Sequence, residues 1–182
     1  MRVTGGISRG QRLKAPAGSH VRPTSDKVKQ ALFNILGENV VDAVFLDLFA
    51  GAGGIGIEAL SRGAGRVVFV DASRESLGVI TQNIEQTGFK ERSQTVLSKA
   101  ESFLQKKTGP YDIVFLDPPY ADGMQPLLEL IAGAGILKAD ATVIAEHFKK
   151  QLLPERAGNL ARYRETQYGD TVLAFYRYRS KE

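Results

Sequence analysis

Asp117-Pro118-Pro119-Tyr120 combines residue types that suit one kind of reaction. The two prolines fix φ and remove two N–H donors, stiffening a turn that leaves acceptors and an aromatic face for a substrate. An aromatic amino group offers two donors, and its lone pair is delocalised into the ring. The Asp117 carboxylate and the Pro118 carbonyl could hold those donors out of the ring plane and localise the lone pair on nitrogen, with Tyr120 stacked on the base. Such positioning is worth roughly several kcal/mol, and proton acceptance by Asp117 adds on the order of 10²–10⁴-fold. The plain alternative is a proline-rich turn that ends a strand and does no chemistry. Its place, one β-α unit beyond a glycine loop, argues against that. The chain has no cysteine, so methylation at pyrimidine C5 through a thiol adduct is disfavoured and nitrogen is the surviving target.

The glycine loop is Asp47-Leu48-Phe49-Ala50-Gly51-Ala52-Gly53-Gly54-Ile55-Gly56. Gly51, Gly53 and Gly56 fit G-x-G-x-x-G, and Asp71 lies 20 residues after Gly51. Glycines let the backbone turn tightly and approach a ligand closely, and an acid at Asp71 can receive ribose hydroxyls. This pattern alone fits NAD, and so an oxidoreductase, as well as S-adenosylmethionine. Asp47 tilts the choice, because a carboxylate before the loop suits a cationic amino-acid end and would sit badly beside a pyrophosphate.

The elements that must position these groups alternate. After a helix from Thr24 or Ser25 to about Leu36, strands are expected near 44–49, 66–71, 94–97, 112–117 and 142–146. Helices near 55–62, 74–86, 101–106 and 126–132 fall between them, and an antiparallel pair, 160–167 and 171–178, closes the chain. Repeated β-α units imply a parallel sheet with helices on both faces, and ligands bind beyond the carboxyl ends of its strands. That rim would carry Phe49, Asp71, Leu97 and Asp117. Residues 2–13 alternate like an exposed hairpin.

The 182 residues suffice for one well-buried α/β domain, and no apolar run is long enough for a membrane span. With two histidines and no cysteine, a metal site is not expected. Met1 leads into Arg2 without a signal-peptide core, so the cytoplasm is the expected compartment. The net charge of +4 has its source in residues 1–40, with seven Lys/Arg against two acids. That excess is either a solvated arm or a footprint for phosphates.

The run 47–64, the Asp117 tetrapeptide, Arg22-Pro23-Thr24, the opening Arg2 to Gly6, Gly10 to Leu13 and Ala145-Glu146-His147 together resemble the RsmD family across nearly the whole chain. These are bacterial 16S ribosomal RNA guanine-N2 methyltransferases. The resemblance implies an α/β, Rossmann-like, seven-stranded class I methyltransferase sheet with helices on both faces, plus a small N-terminal β-hairpin/helix extension. Residues 1–40 would be that RNA-contacting extension and 41–182 the methyltransferase domain. It implies S-adenosylmethionine as methyl donor, S-adenosylhomocysteine as product, and 16S rRNA or the assembling small subunit as partner, with a monomer sufficient. Catalytic residues would be Asp117, Pro118, Pro119 and Tyr120. Cofactor contacts would come from Asp47, Phe49, Ala50, Gly51, Gly53, Asp71, Ala72, Ala100 and Glu101. The family commonly has Asp-Ala where this chain has Lys99-Ala100, so either Glu101 substitutes or backbone alone holds the adenine. Phosphate contacts would come from Arg2, Arg9, Arg12, Lys14, Arg22 and Thr24. The alternatives are an adenine-N6 methyltransferase, a glutamine-amide methyltransferase and a non-catalytic RNA-binding or assembly module.

Overall fold

Near-continuous apolar runs such as Val67-Val68-Phe69-Val70 have no polar face to show to water, so they form strands covered on both sides. The computed structural model describes residues 1–16, 24–119 and 123–179. Its strands are β1 (Val44–Leu48), β2 (Arg66–Asp71), β3 (Ser93–Leu97), β4 (Tyr111–Leu116), β5 (Leu137–Phe148), β6 (Arg156–Ala157), β7 (Leu160–Tyr168) and β8 (Thr171–Tyr178). They make one sheet in the order β3-β2-β1-β4-β5-β8-β7-β6. The first five are parallel, and β8 and β7 return antiparallel.

The helices are α1 (Asp26–Leu36), α2 (Gly54–Ser61), α3 (Arg74–Thr87), α4 (Ala100–Gln105) and α5 (Met124–Gly133). Ser25 caps α1 by accepting from the Val28 amide, and Ser73 caps α3 by accepting from the Ser76 amide. Side-chain alternation divides the core in two. Phe45, Val67 and Phe69 pack with Leu32 of α1, Ile57 of α2 and Ile80 of α3. Leu46, Val68 and Val70 pack with Phe103 of α4 and Leu128 of α5. No described helix is long and apolar enough to cross a membrane.

Three sequence expectations need correction. The sheet has eight strands rather than seven. The addition is the two-residue β6, where the chain reverses through Gly158 at φ 55° and pairs Arg156 with Ala161 and Ala157 with Leu160. β5 begins at Leu137, well before 142, because a bulge carries 138–141 between the Tyr111–Leu137 and Ile113–Thr142 pairs, with Asp140 at φ 60°. Finally, residues 2–13 do turn back as a hairpin, with the Val3 N–H on the Gln11 carbonyl, the Gly10 N–H on the Val3 carbonyl and an Arg2–Arg12 bridge. It is docked rather than free: Val3 and Leu13 are buried in the core shared with α1 and α2.

That docking is polar as well. Glu58 of α2 is fully buried and accepts from the Thr4 amide (2.7 Å), the Thr4 hydroxyl (2.8 Å) and Arg62 Nε (2.8 Å). Lys29 of α1, 1% exposed, stands with Nζ 3.5 Å from Glu58 and donates to the Arg2 carbonyl. Burial pushes the Lys29 amine below its ordinary value, and Glu58 opposes the shift. Gly6, at φ 76°, lies so near the Ser61 carbonyl that a Cβ would come within 1.8 Å of its oxygen, so the contact requires glycine.

Removing one member of a buried ion pair leaves the other uncompensated. Glu58→Ala is therefore expected to destabilise the protein by about 3–5 kcal/mol in urea unfolding, and more than the exposed-pair variant Asp26→Ala.

Candidate active site

The rim at the carboxyl ends of β1, β2, β4 and β5 opens onto a cavity of about 900 Å³. Its wall includes Asp47, Phe49, Ala50 and Gly51 from the β1–α2 loop, and Asp71 and Ala72 after β2. Asp117, Pro118 and Pro119 follow β4, and Glu146 to Phe148 end β5. The proline corner and the glycine loop thus face one space, as direct transfer between them requires. The volume is ample for a nucleoside-sized ligand with room for a base.

The loop's shape comes from two strand-end carboxylates. Asp71 accepts from the Gly51 amide with Oδ2 (2.8 Å) and from the Ser73 amide with Oδ1 (2.8 Å). Asp47, 1% exposed, accepts from the Gly56 amide of α2 at 3.0 Å. Gly51 sits at φ 56°, and a Cβ there would project into open space, which is room a ligand can occupy. Gly56 serves packing instead: a Cβ would come within 2.3 Å of the Phe69 ring, so glycine lets α2 lie close on β2. Gly53, at φ 79°, caps α2 and does not line the cavity. Phe49 holds a left-handed φ of 85°, a costly conformation for a non-glycine residue. It is fixed there because the Phe49 and Ala50 amides both donate to the Val70 carbonyl.

The expected third-strand contacts are not found. Ala100 is packed in the core beside Phe103, and Glu101 is exposed; neither lines the cavity. Helix α4 starts directly after β3 and turns Ala100 inward. The expected RNA-contacting residues also divide. Arg2 is paired with Asp26, and Lys14 reaches Gln82. Arg9 and Arg12 are exposed and make no ion pair among the described residues. Thr24 points into the site, where its hydroxyl donates to Glu146 Oε2 at 2.9 Å. Arg22 and Tyr120 lie outside the described residues.

Glu146 is the residue that motif reading passed over as a role. Leu116 pairs with Ala145 in the parallel register of β4 and β5, so Asp117 and Glu146 stand side by side at the strand ends. A strand-end acid next to the tetrapeptide's strand was the available signal. Burial pushes the Asp117 carboxyl up to about 6. Burial, reinforced by the Asp117 charge, pushes Glu146 up to about 8. Burial likewise raises Asp47 to about 7, against the pull of the Gly56 amide. His147 is buried, its Nδ1 lies 3.1 Å from the Phe148 carbonyl, and burial lowers its pKa. It packs at the rim of the cavity. The aromatic residues of the terminal hairpin pack likewise, with Tyr163 and Phe175 rings 6.2 Å apart.

The donor set fits S-adenosylmethionine better than a dinucleotide. Six acidic side chains (Asp47, Asp71, Glu75, Asp117, Glu146 and Asp170, the last paired with Lys149) line the cavity, and its one described lysine, Lys29, is engaged with Glu58. Such a surface favours a sulfonium and an ammonium and opposes a pyrophosphate. Asp71 retains acceptor capacity for ribose hydroxyls after its two amide bonds.

A carboxyl whose pKa rises on folding binds its proton more tightly in the folded state. Each such group costs no stability below its free value and its full penalty above its folded value. For Asp47 that interval runs from 3.8 to about 7, and Asp117 and Glu146 act in the same direction. Thermal unfolding of the ligand-free protein should therefore show stability from these groups declining as pH rises from about 4 to about 8. Asp47→Asn should flatten the decline, raising stability at pH 8 by on the order of a few kcal/mol.

Comparison with known proteins agrees with this arrangement. The family described as conserved hypothetical protein 95 matches residues 1–177. The putative rRNA methyltransferase YlbH of Bacillus subtilis is 40% identical over 98% of this chain and 100% of its own. The ribosomal RNA small subunit methyltransferase D of Escherichia coli is 35% identical over 97% of this chain and 89% of its own. A solved structure named putative methyltransferase yhhF, from Escherichia coli, superposes with a TM-score of 0.91 at 32% identity, covering 100% of this chain and 99% of that one. The chain therefore belongs to the conserved hypothetical protein 95 family, the family of the RsmD methyltransferases.

Proposed function

We propose that this protein transfers a methyl group from S-adenosylmethionine to the exocyclic N2 amine of a guanine in 16S ribosomal RNA. The observation that carries the reading is the shared cavity: the Asp117-Pro118-Pro119 corner and the glycine loop line one wall-to-wall space. Its relatives' names supply the substrate class, small-subunit ribosomal RNA.

When bound, S-adenosylmethionine supplies a methyl group activated by its sulfonium. The residues that would hold it are Asp71 at the ribose, the amides of the Gly51 loop, and Asp47 behind that loop. Asp117 receives one N2 donor of the guanine, the Pro118 carbonyl receives the other, and together they turn the nitrogen lone pair out of conjugation. Asp117, the carboxyl that receives an N2 donor, accepts the proton that the amine must lose. The prolines keep both acceptors from drifting, and Tyr120 stacks on the base. Because the cavity is recessed, the guanine must lie in a single strand or be extruded to enter.

Incubation with labelled methyl donor and small-subunit rRNA or particles lacking the modification should label one guanine, with N2-methylguanosine as the product by mass spectrometry. No transfer, or N6-methyladenosine instead, would refute the reading. Asp117→Ala should lower kcat by about 10²–10⁴-fold while leaving S-adenosylmethionine affinity within a few-fold by calorimetry. If Arg9 and Arg12 contact phosphates, replacing both with alanine should weaken RNA binding. The salt dependence should then fall by about 0.7 in logarithmic slope per lost contact on single-stranded RNA.

A further inference from the structure

Guanine differs from the other amine-bearing bases in what lies beside the amine. In adenine and cytosine the neighbouring ring nitrogen is an acceptor, whereas in guanine N2 is flanked by N1–H, a donor. A site selective for guanine therefore needs a second acceptor next to the one that holds N2, in the same plane and at the next hydrogen-bonding position.

The rim of this sheet supplies one. β4 and β5 run parallel with Leu116 opposite Ala145, so their next residues, Asp117 and Glu146, are neighbours across the sheet. Strands are about 4.8 Å apart, so the two carboxyls project side by side from the same rim and can converge on one base. Both line the cavity. The orientation of Glu146 is fixed rather than free: Thr24, in the segment leading into α1, donates its hydroxyl to Oε2 at 2.9 Å, and no described group bonds Oε1. A side chain whose outer oxygen is clamped by a residue more than a hundred positions away presents its remaining oxygen in one direction.

We infer that Glu146, held by Thr24, reads the base: its Oε1 accepts the guanine N1–H while Asp117 takes the adjacent N2 donor. The inference rests on the proposed guanine-N2 reaction and adds the residue that selects the base. The contact requires Oε1 to carry no proton, as in the ionised carboxylate or when the proton of a neutral carboxyl lies on Oε2. Adenine and cytosine would set a ring-nitrogen lone pair against that oxygen, leaving both without a donor. Glu146 is thus a base-reading residue, and Thr24 is a positioning residue acting through it.

The test uses 2,6-diaminopurine, which keeps the N2 amine but has an acceptor at N1. Once the methylated guanine is mapped, RNA with either base at that position is made by splinted ligation and assayed with the full-length protein. The wild type should prefer guanine by about 10- to 100-fold in kcat/KM. Glu146→Ala should lose that preference, through a fall on guanine with little change on 2,6-diaminopurine. In Glu146→Gln the Thr24 hydroxyl takes the one amide oxygen and the NH2 faces the base, so the preference should not be restored, and Thr24→Val should reduce the wild-type preference several-fold. Calorimetry with S-adenosylhomocysteine confirms that each variant is folded. Equal loss on both bases in Glu146→Ala, or a preference that survives it, would overturn the assignment while leaving guanine-N2 transfer standing. A wild type that modifies no guanine at all would defeat both.

Discussion

Two carboxylates at the ends of neighbouring strands hold the glycine loop in its shape, and the rest of the site takes its position from that loop. Asp71 grips the Gly51 amide and Asp47 grips the Gly56 amide. Each acid is therefore a structural clamp before it is a ligand contact. Asp47 illustrates the tension: almost wholly removed from water, it has one described amide to offset its desolvation, and its pKa rises accordingly. A cationic ligand end in the cavity would relieve that tension, which ties occupancy of the pocket to the energetics of the sheet beneath it. The distance from the loop to Asp117 is set by β1 and β4, paired through Leu48 and Leu116, so it does not rest on flexible segments.

The sequence reading was strongest where local chemistry and periodicity agree. Gly56 packs on Phe69 and Gly51 needs a positive φ, so both glycines carry their reason in the backbone, and the motif was legible. The strand runs 66–71 and 112–117 were clear because apolar residues filled both faces. The early start of β5 was not legible, since Lys138 and Asp140 sit in a bulge that breaks the apolar pattern. The two-residue β6 depends on pairing with β7 and has no local signature. The same limit applies to the site. Glu146 and Thr24 meet only through the fold, 122 positions apart, whereas Ala100 and Glu101, expected at the cofactor from the family resemblance, lie in the core and in solvent away from the cavity.

The N-terminal charge also looks different in three dimensions. Arg2 and Lys14 are engaged by Asp26 and Gln82, and Lys29 is buried against Glu58. Much of the basic excess thus secures the segment to α1, α2 and α3. Arg9 and Arg12 stay exposed on a chain whose flanking residues, Met1 at one end and Ala15 and Pro16 at the other, form part of the cavity wall. From that wall the segment runs along α2 to Ser61, where Ile7 and Ser8 are bonded, so its free positive charge extends away from the acidic cavity, a division suited to a polyanion longer than the base that enters.

β8 has a place in the sheet that bears on how the protein is made. It is the last of the eight strands to leave the ribosome, yet it lies between β5 and β7, and Thr171 at its start borders the pocket. A nascent chain that has emerged as far as β7 cannot attach that strand to β5, because the intervening partner has not been synthesised. The pocket wall is completed only after translation has passed residue 171, so a growing polypeptide carries no finished site while most of it is already outside the exit tunnel.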